Sequence, residues 1–100
     1  WLDPGLGFGK HPLRHNLPLL GRLDELVATG YPILVGASRK QFIGALTGAG
    51  VSERLPGSLA AAVAAVLAGA RAVRAHDVAA TRQAVDVACA IRSACAPELN

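Results

Sequence analysis

Apolar positions along this chain fall into runs of two kinds. Within residues 31–37, Pro32-Ile33-Leu34-Val35-Gly36-Ala37 is continuously apolar, rich in branched side chains and without alternation. Such a run predicts a strand buried on both faces, as in a parallel sheet covered by helices. It stops at Ser38-Arg39-Lys40, where a short helix over 41–46 is expected to begin; Thr47-Gly48-Ala49-Gly50 breaks that helix. Ahead of the strand, Leu20, Leu23, Leu26 and Val27 recur at helical spacing. They predict a helix over 17–29 that starts near Asn16, tolerates Pro18 in its first turn and closes at Gly30.

The second half has the same alternation. A connector over 51–56 leads to Ser58, the expected N-cap of a helix over 59–68 made of Ala, Val and Leu. Alanine favours helix and admits close neighbours, and a helix apolar nearly all round should be buried on more than one side. Gly69 ends it, 70–76 read as the next strand, and Asp77 caps a last helix over 78–94 whose inner stripe is Val85, Ala88 and Ile91. The chain opens on Trp1-Leu2 with no room for a full strand before the first loop, and it has no Met; a piece of a longer protein, starting inside a strand, is expected. Strand and helix thus alternate three times, with strand ends near Asp3, Ala37 and His76 and spacings in the mid-thirties that suit βα units with right-handed crossovers. The fold class is α/β, either a small open parallel sheet or part of a closed barrel. Both place chemistry at the carboxyl ends of the strands.

Each of these ends carries charged residues. Asp3 follows the first strand directly; its carboxylate either accepts hydrogen bonds from the ring N–H groups of a heterocycle or braces the Pro4-Gly5 turn. The glycine-rich loop over 5–9 matches neither the dinucleotide fingerprint nor the P-loop. Lys40 stands at the start of a helix, where free backbone N–H groups and a partial positive charge suit an anion. The plain alternative is a solvated turn. Arg74 and His76 are two apart in a strand, so they point the same way and form an oxyanion clamp. His15 and Asn16 read as capping and loop residues.

Composition narrows the ligand. The net charge of +3 comes from ten scattered basic residues with no Lys/Arg run, which argues against a nucleic-acid surface and suits a small anion. No apolar stretch approaches the roughly 20 residues of a membrane span, no signal-peptide pattern is present, and a cytoplasmic domain is expected. Cys89 and Cys95 lie in one expected helix, ~9 Å apart along its axis on different faces. That is beyond disulfide reach, so they read as buried small hydrophobes in a reducing compartment.

Asp3-Pro4-Gly5-Leu6-Gly7-Phe8-Gly9-Lys10, Leu34-Val35-Gly36-Ala37-Ser38-Arg39-Lys40, Gly57-Ser58-Leu59-Ala60-Ala61 and Val73-Arg74-Ala75-His76-Asp77-Val78, in that order and spacing, closely resemble the C-terminal part of bacterial dihydropteroate synthase. The resemblance runs from Trp1 to about Ser93. It implies a (β/α)8 TIM-type barrel, of which residues 1–100 would be the last three βα units and a partial pterin-binding domain. It also implies the family's transferase reaction in folate synthesis: 7,8-dihydropterin-6-ylmethyl diphosphate condenses with 4-aminobenzoate and pyrophosphate is released, with sulfonamides competing for the aminobenzoate site.

By the same resemblance, Lys40, Arg74 and His76 would be the catalytic set. Asp3, Lys40 and Arg74 would bind the pterin, and Arg74 and His76 the diphosphate. Phe8, Ser38, Lys40 and Gln41 would border the aminobenzoate. Mg2+ would share the pyrophosphate charge, although no residue here is identified as its ligand. Gln41 stands where many members have Ser, which implies an altered carboxylate contact, and Ala75 stands where Val is commoner. Other pterin contacts belong to the family's first five βα units, so the 100 residues alone are expected to be inactive. Two other readings stay open: a pterin domain of the methyltetrahydrofolate-dependent methyltransferase kind, and a non-catalytic module that self-associates through its open sheet edges. A homo-oligomer is expected.

Overall fold

A computed structural model of the chain describes residues 1–6 and 13–94. Its element order is α1 (Asn16–Gly21), α2 (Leu23–Val27), β1 (Leu34–Val35), α3 (Gln41–Thr47), a 3₁₀ turn (Val51–Glu53), α4 (Leu55–Leu67), β2 (Ala72–Val73) and α5 (Val78–Ala94). The fold is α/β with a parallel sheet. β1 lies at its centre, paired in parallel with β2 in the register Leu34↔Ala72 and Val35↔Val73. On its other side Leu2 forms a parallel bridge to Ile33, with Leu34 N–H donating to Leu2 O at 2.8 Å.

The strands are shorter than the apolar runs that predict them. Backbone rungs join them only from Arg71 N–H to Ile33 O (2.9 Å) through Arg74 N–H to Val35 O (2.8 Å). Along the run, Ile33, Val35 and Ala37 are buried in the core while Leu34 is only half-buried. One face is therefore packed and the other partly covered, which is a correction to burial on both faces.

The core beneath the sheet brings Leu6, Leu23, Phe42, Ile43, Ala61, Ala65 and Ala70 against Ile33, Val35 and Ala37. Small side chains dominate α4, and it packs on α5, β2 and α1. Gly57 lets α4 sit against α3, since a methyl group there would overlap Ile43 Cγ2. Gly48 ends α3 in a left-handed conformation (φ 80), and Gly30 and Gly69 likewise follow their helices at positive φ.

Several elements depart from their sequence pattern. The helix expected over 17–29 is two short ones broken at Arg22 (φ −114, ψ 24), beside Gly21, which has weak helix propensity. There Arg22 Nη2 donates to Glu25 Oε1 at 3.0 Å. Asn16 is almost fully buried as the first residue of α1, not a loop residue. α4 begins at Leu55 with Pro56 in its first turn, so Ser58 lies inside the helix and caps nothing. Ile91 is 64% exposed, not part of an inner stripe, because the 17-residue α5 outruns the 13-residue α4 that covers it. Cys89 is half-buried on α5, whereas Cys95 lies outside the described residues. Among the described residues no helix is long and apolar enough to cross a membrane.

Leu23 is fully buried and Ile91 is not, so their truncations should separate cleanly. Leu23→Ala is expected to lower unfolding stability by about 2–5 kcal/mol. Ile91→Ala should stay within about 0.5 kcal/mol. Urea denaturation checks the contrast; equal midpoint shifts would contradict this placement of the core.

Candidate functional site

Past Val35 and Val73 the two strands separate, and their carboxyl ends frame a cleft. It has a volume of about 440 Å³ and is lined by Gly36, Ser38, Lys40, Arg74, Ala75 and His76. That size suits a small-molecule ligand. The residues arrive from different directions. Lys40 is half-buried in extended backbone (φ −70, ψ 155) just before α3. Ser38 stands in the turn that follows β1.

Arg74 and His76 share the cleft but not through strand alternation, because β2 ends at Val73. The Arg74 guanidinium lies over Gly36: a Cβ built there would sit 2.7 Å from Arg74 Nη2 and 3.1 Å from Cζ. Only glycine admits it that close. The same Nη2 reaches Asp3 Oδ2 at 3.3 Å, so the residue after the Leu2 bridge and the residue after β2 meet across β1. Asp3 Oδ1 meanwhile accepts the Gly5 N–H at 2.9 Å. Its carboxylate thus braces the turn and orients the arginine together.

His76 turns toward Ser38. Its backbone N–H donates to Ser38 Oγ at 3.2 Å, and its Nδ1 lies 2.9 Å from the same oxygen. Two cationic side chains and an imidazole therefore face one cleft beside the Asp3 carboxylate. Such an array binds polyanions, because charge-assisted hydrogen bonds from Lys and Arg to phosphate oxygens are short and strong.

The other candidates are placed less directly. Gln41 is exposed at the first position of α3 and is not among the residues lining the cleft. Phe8 lies outside the described residues. Among the described residues no group of three His, Cys, Asp or Glu side chains is arranged to hold a metal ion, and both Asp3 oxygens have protein partners. These residues do not by themselves fit a Mg2+ site.

Sequence reasoning missed the supports behind the cleft. Ser58 is 5% exposed and its Oγ accepts the Arg39 N–H at 2.8 Å. Asp77 opens α5 through its carbonyl, which accepts the Thr81 N–H at 3.0 Å, while its carboxylate pairs with Arg39. A lone Ser amid the apolar positions of α4 was the available signal for the first. Nothing local marks the second.

The model of the pterin binding enzyme family matches residues 1–76 of the chain. Dihydropteroate synthase of Neisseria meningitidis serogroup B is 57% identical over 90 residues, covering 86% of this chain and 31% of that protein. Among solved structures, dihydropteroate synthase of Coxiella burnetii in complex with pteroic acid superimposes with a TM-score of 0.85 at 46% identity, covering 92% of this chain and 34% of that one. The Thermus thermophilus enzyme in complex with 4-aminobenzoate gives a TM-score of 0.86 at 53% identity, covering 91% and 37%. The chain spans about a third of the length of these relatives.

The contact of Arg74 with Gly36 yields a test. Gly36→Ala should displace the guanidinium and weaken inorganic pyrophosphate binding roughly tenfold to a hundredfold, as loss of a charge-assisted hydrogen bond would. Calorimetric titration of the variant against the unmodified protein reads this directly; unchanged affinity would separate Arg74 from anion binding.

Proposed function

Because the chain belongs to the pterin-binding enzyme family, with residues 1–76 matching its model, we propose that it forms the C-terminal third of a dihydropteroate synthase. In this reading it is the last three βα units of a (β/α)8 barrel, a single partial domain. The parallel order Leu2, β1, β2 with helices between supports that placement. The observation that carries the function is the cleft in which Lys40, Arg74 and His76 converge, with Asp3 tied to Arg74.

The chemistry follows from charge. The amino nitrogen of 4-aminobenzoate forms a bond to the pterin's exocyclic methylene, whose C–O bond to the diphosphate breaks. The amine gives up one proton and pyrophosphate leaves with the electron pair of the broken bond. Negative charge grows on the departing oxygens, and Arg74 with His76 is the proposed clamp for it. Fixed cations aimed at developing charge are among the largest catalytic contributions available. Asp3 suits the paired N–H donors of a pterin ring, and Lys40 stands where pterin and aminobenzoate would meet. Ser38, Gln41 and Phe8 complete the proposed aminobenzoate border. Lys40, Arg74 and His76 are accordingly the proposed catalytic residues. Mg2+ enters the proposal only as a companion of the diphosphate oxygens, because the residues described here do not form its site, and no step is assigned to it.

A methyl-transferring pterin domain is the weaker reading. Methyl transfer has no diphosphate to hold, and the cationic cleft would then be unexplained. Self-association is proposed as well. Among the described residues Leu2 and β2 are paired on one side only. An apolar groove that includes Val66, Val73, Val78 and Val85 runs beside β2.

With 7,8-dihydropterin-6-ylmethyl diphosphate and 4-aminobenzoate, the full-length protein is expected to release pyrophosphate and form dihydropteroate. Lys40→Ala and Arg74→Ala should each lower kcat/KM by at least about a hundredfold. Turnover indifferent to both changes would sink the proposed roles. For the 100-residue chain, sedimentation equilibrium at micromolar concentration should show dimers or larger species, and a clean monomer would remove the self-association proposal.

A further inference from the structure

We propose that Arg39 is a positioning residue, whose left-handed turn is pinned from three sides so that Ser38 and Lys40 are held at the cleft; its consequence for turnover rests on the dihydropteroate synthase reading above. Among the described residues Arg39 is the one non-glycine residue at positive φ, at 56°. Side chains with a Cβ adopt that conformation rarely, and it persists where the surroundings over-determine it.

Backbone and side chain of Arg39 are both tied. Its N–H donates to Ser58 Oγ at 2.8 Å, inside α4. Its carbonyl accepts Arg54 Nη1 at 3.2 Å, and Arg54 is itself fixed by Nε donating to Ala49 O at 3.1 Å. Its guanidinium grips Asp77 at the head of α5, with Nη2 to Oδ1 at 3.0 Å and Nε to Oδ2 at 3.3 Å. The turn after β1 is thereby anchored to α4 and to the head of α5.

The pairing has a register. β1 and β2 pair as Leu34↔Ala72 and Val35↔Val73, an offset of 38 residues. Past the last backbone rung the same offset of 38 continues in side chains, as Ser38 with His76 and Arg39 with Asp77. A side-chain ladder thus takes over from the backbone ladder where the strands part. It keeps the distance between the two strand ends set while Gly36, Lys40 and Arg74 turn to the cleft. Stability is a poor explanation for it. The Arg39–Asp77 pair is partly exposed, at 40% and 31%, and exposed ion pairs add little. The backbone conformation itself is unfavourable. What the network supplies is geometry, and misplacement of reacting groups by about 1 Å costs on the order of a hundredfold in rate.

Arg39→Ala and Arg39→Gly in the full-length protein separate this from a simple charge effect. Both lose the Asp77 contact, but glycine keeps the left-handed backbone without strain. Arg39→Ala is expected to raise KM for 4-aminobenzoate about tenfold and lower kcat/KM further, with little change in urea midpoint, because the turn shifts by less than a full ångström-scale misplacement. Arg39→Gly should recover much of that loss, and Asp77→Ala combined with Arg39→Ala should be no worse than Arg39→Ala alone. Amide hydrogen exchange at Ser38 and Lys40, read without substrate, should quicken in Arg39→Ala and less so in Arg39→Gly. Equal losses in the two variants, or exchange unchanged in both, overturn the proposal. If the unmodified protein forms no dihydropteroate, the activity reading falls alone, and the exchange comparison still decides whether Arg39 holds the turn.

Discussion

The Arg74 N–H bonds to the Val35 carbonyl at 2.8 Å, and the site geometry hangs on this last rung between β2 and β1. It sets the height at which Arg74 leaves the sheet, directly across from Gly36. One residue further the strands part, and the guanidinium can fold back over the glycine toward Asp3. A register slipped by one residue would send the arginine to the other face. The packing of Val73 against the core opposes that slip, since Val73 would turn out of the core as Arg74 turned in.

Stability and chemistry occupy different parts of the molecule. Leu23, Ile33, Val35, Phe42 and Ile43 form a core that removes apolar surface from water. The polar contacts of the cleft lie at its edge, where the Arg74–Asp3 pair is 55% and 33% exposed. Exposed pairs of that kind contribute at most about 1 kcal/mol to folding. Their value is orientation. A cationic cleft whose members are held by separate strand ends, and braced by Ser38, Ser58 and Asp77, presents a pre-arranged surface to an anion. Preorganised charge of this sort is what the proposed loss of pyrophosphate would draw on.

Much of this is legible in the residues alone. The uninterrupted run ending at Ala37 announces a sheet strand, Gly48 and Gly69 announce helix ends, and Lys40, Arg74 and His76 stand out as charge at strand ends. Other residues mislead. Ser58 has the chemistry of a cap and follows a glycine, yet Leu55 and Pro56 start the helix earlier and leave Ser58 buried to accept from Arg39. Leu20 to Val27 has helical periodicity throughout, and periodicity is blind to the break that Arg22 introduces. Ile91 lies on an apolar stripe that α4 is too short to cover.

By itself the sequence determined the α/β class of the fold and the residue types that gather beyond the strands, because these depend on local periodicity, turn chemistry and the order of motifs along the chain. Only the tertiary structure decided which of those residues meet. Asp3 and Arg74 are 71 positions apart, and Arg39 and Asp77 are 38 apart. Such contacts follow from sheet register and helix packing, which couple distant segments through space and leave no periodic trace in either one. The left-handed backbone of Arg39 belongs to the same group: nothing about an arginine predicts it, and three ties from other elements impose it.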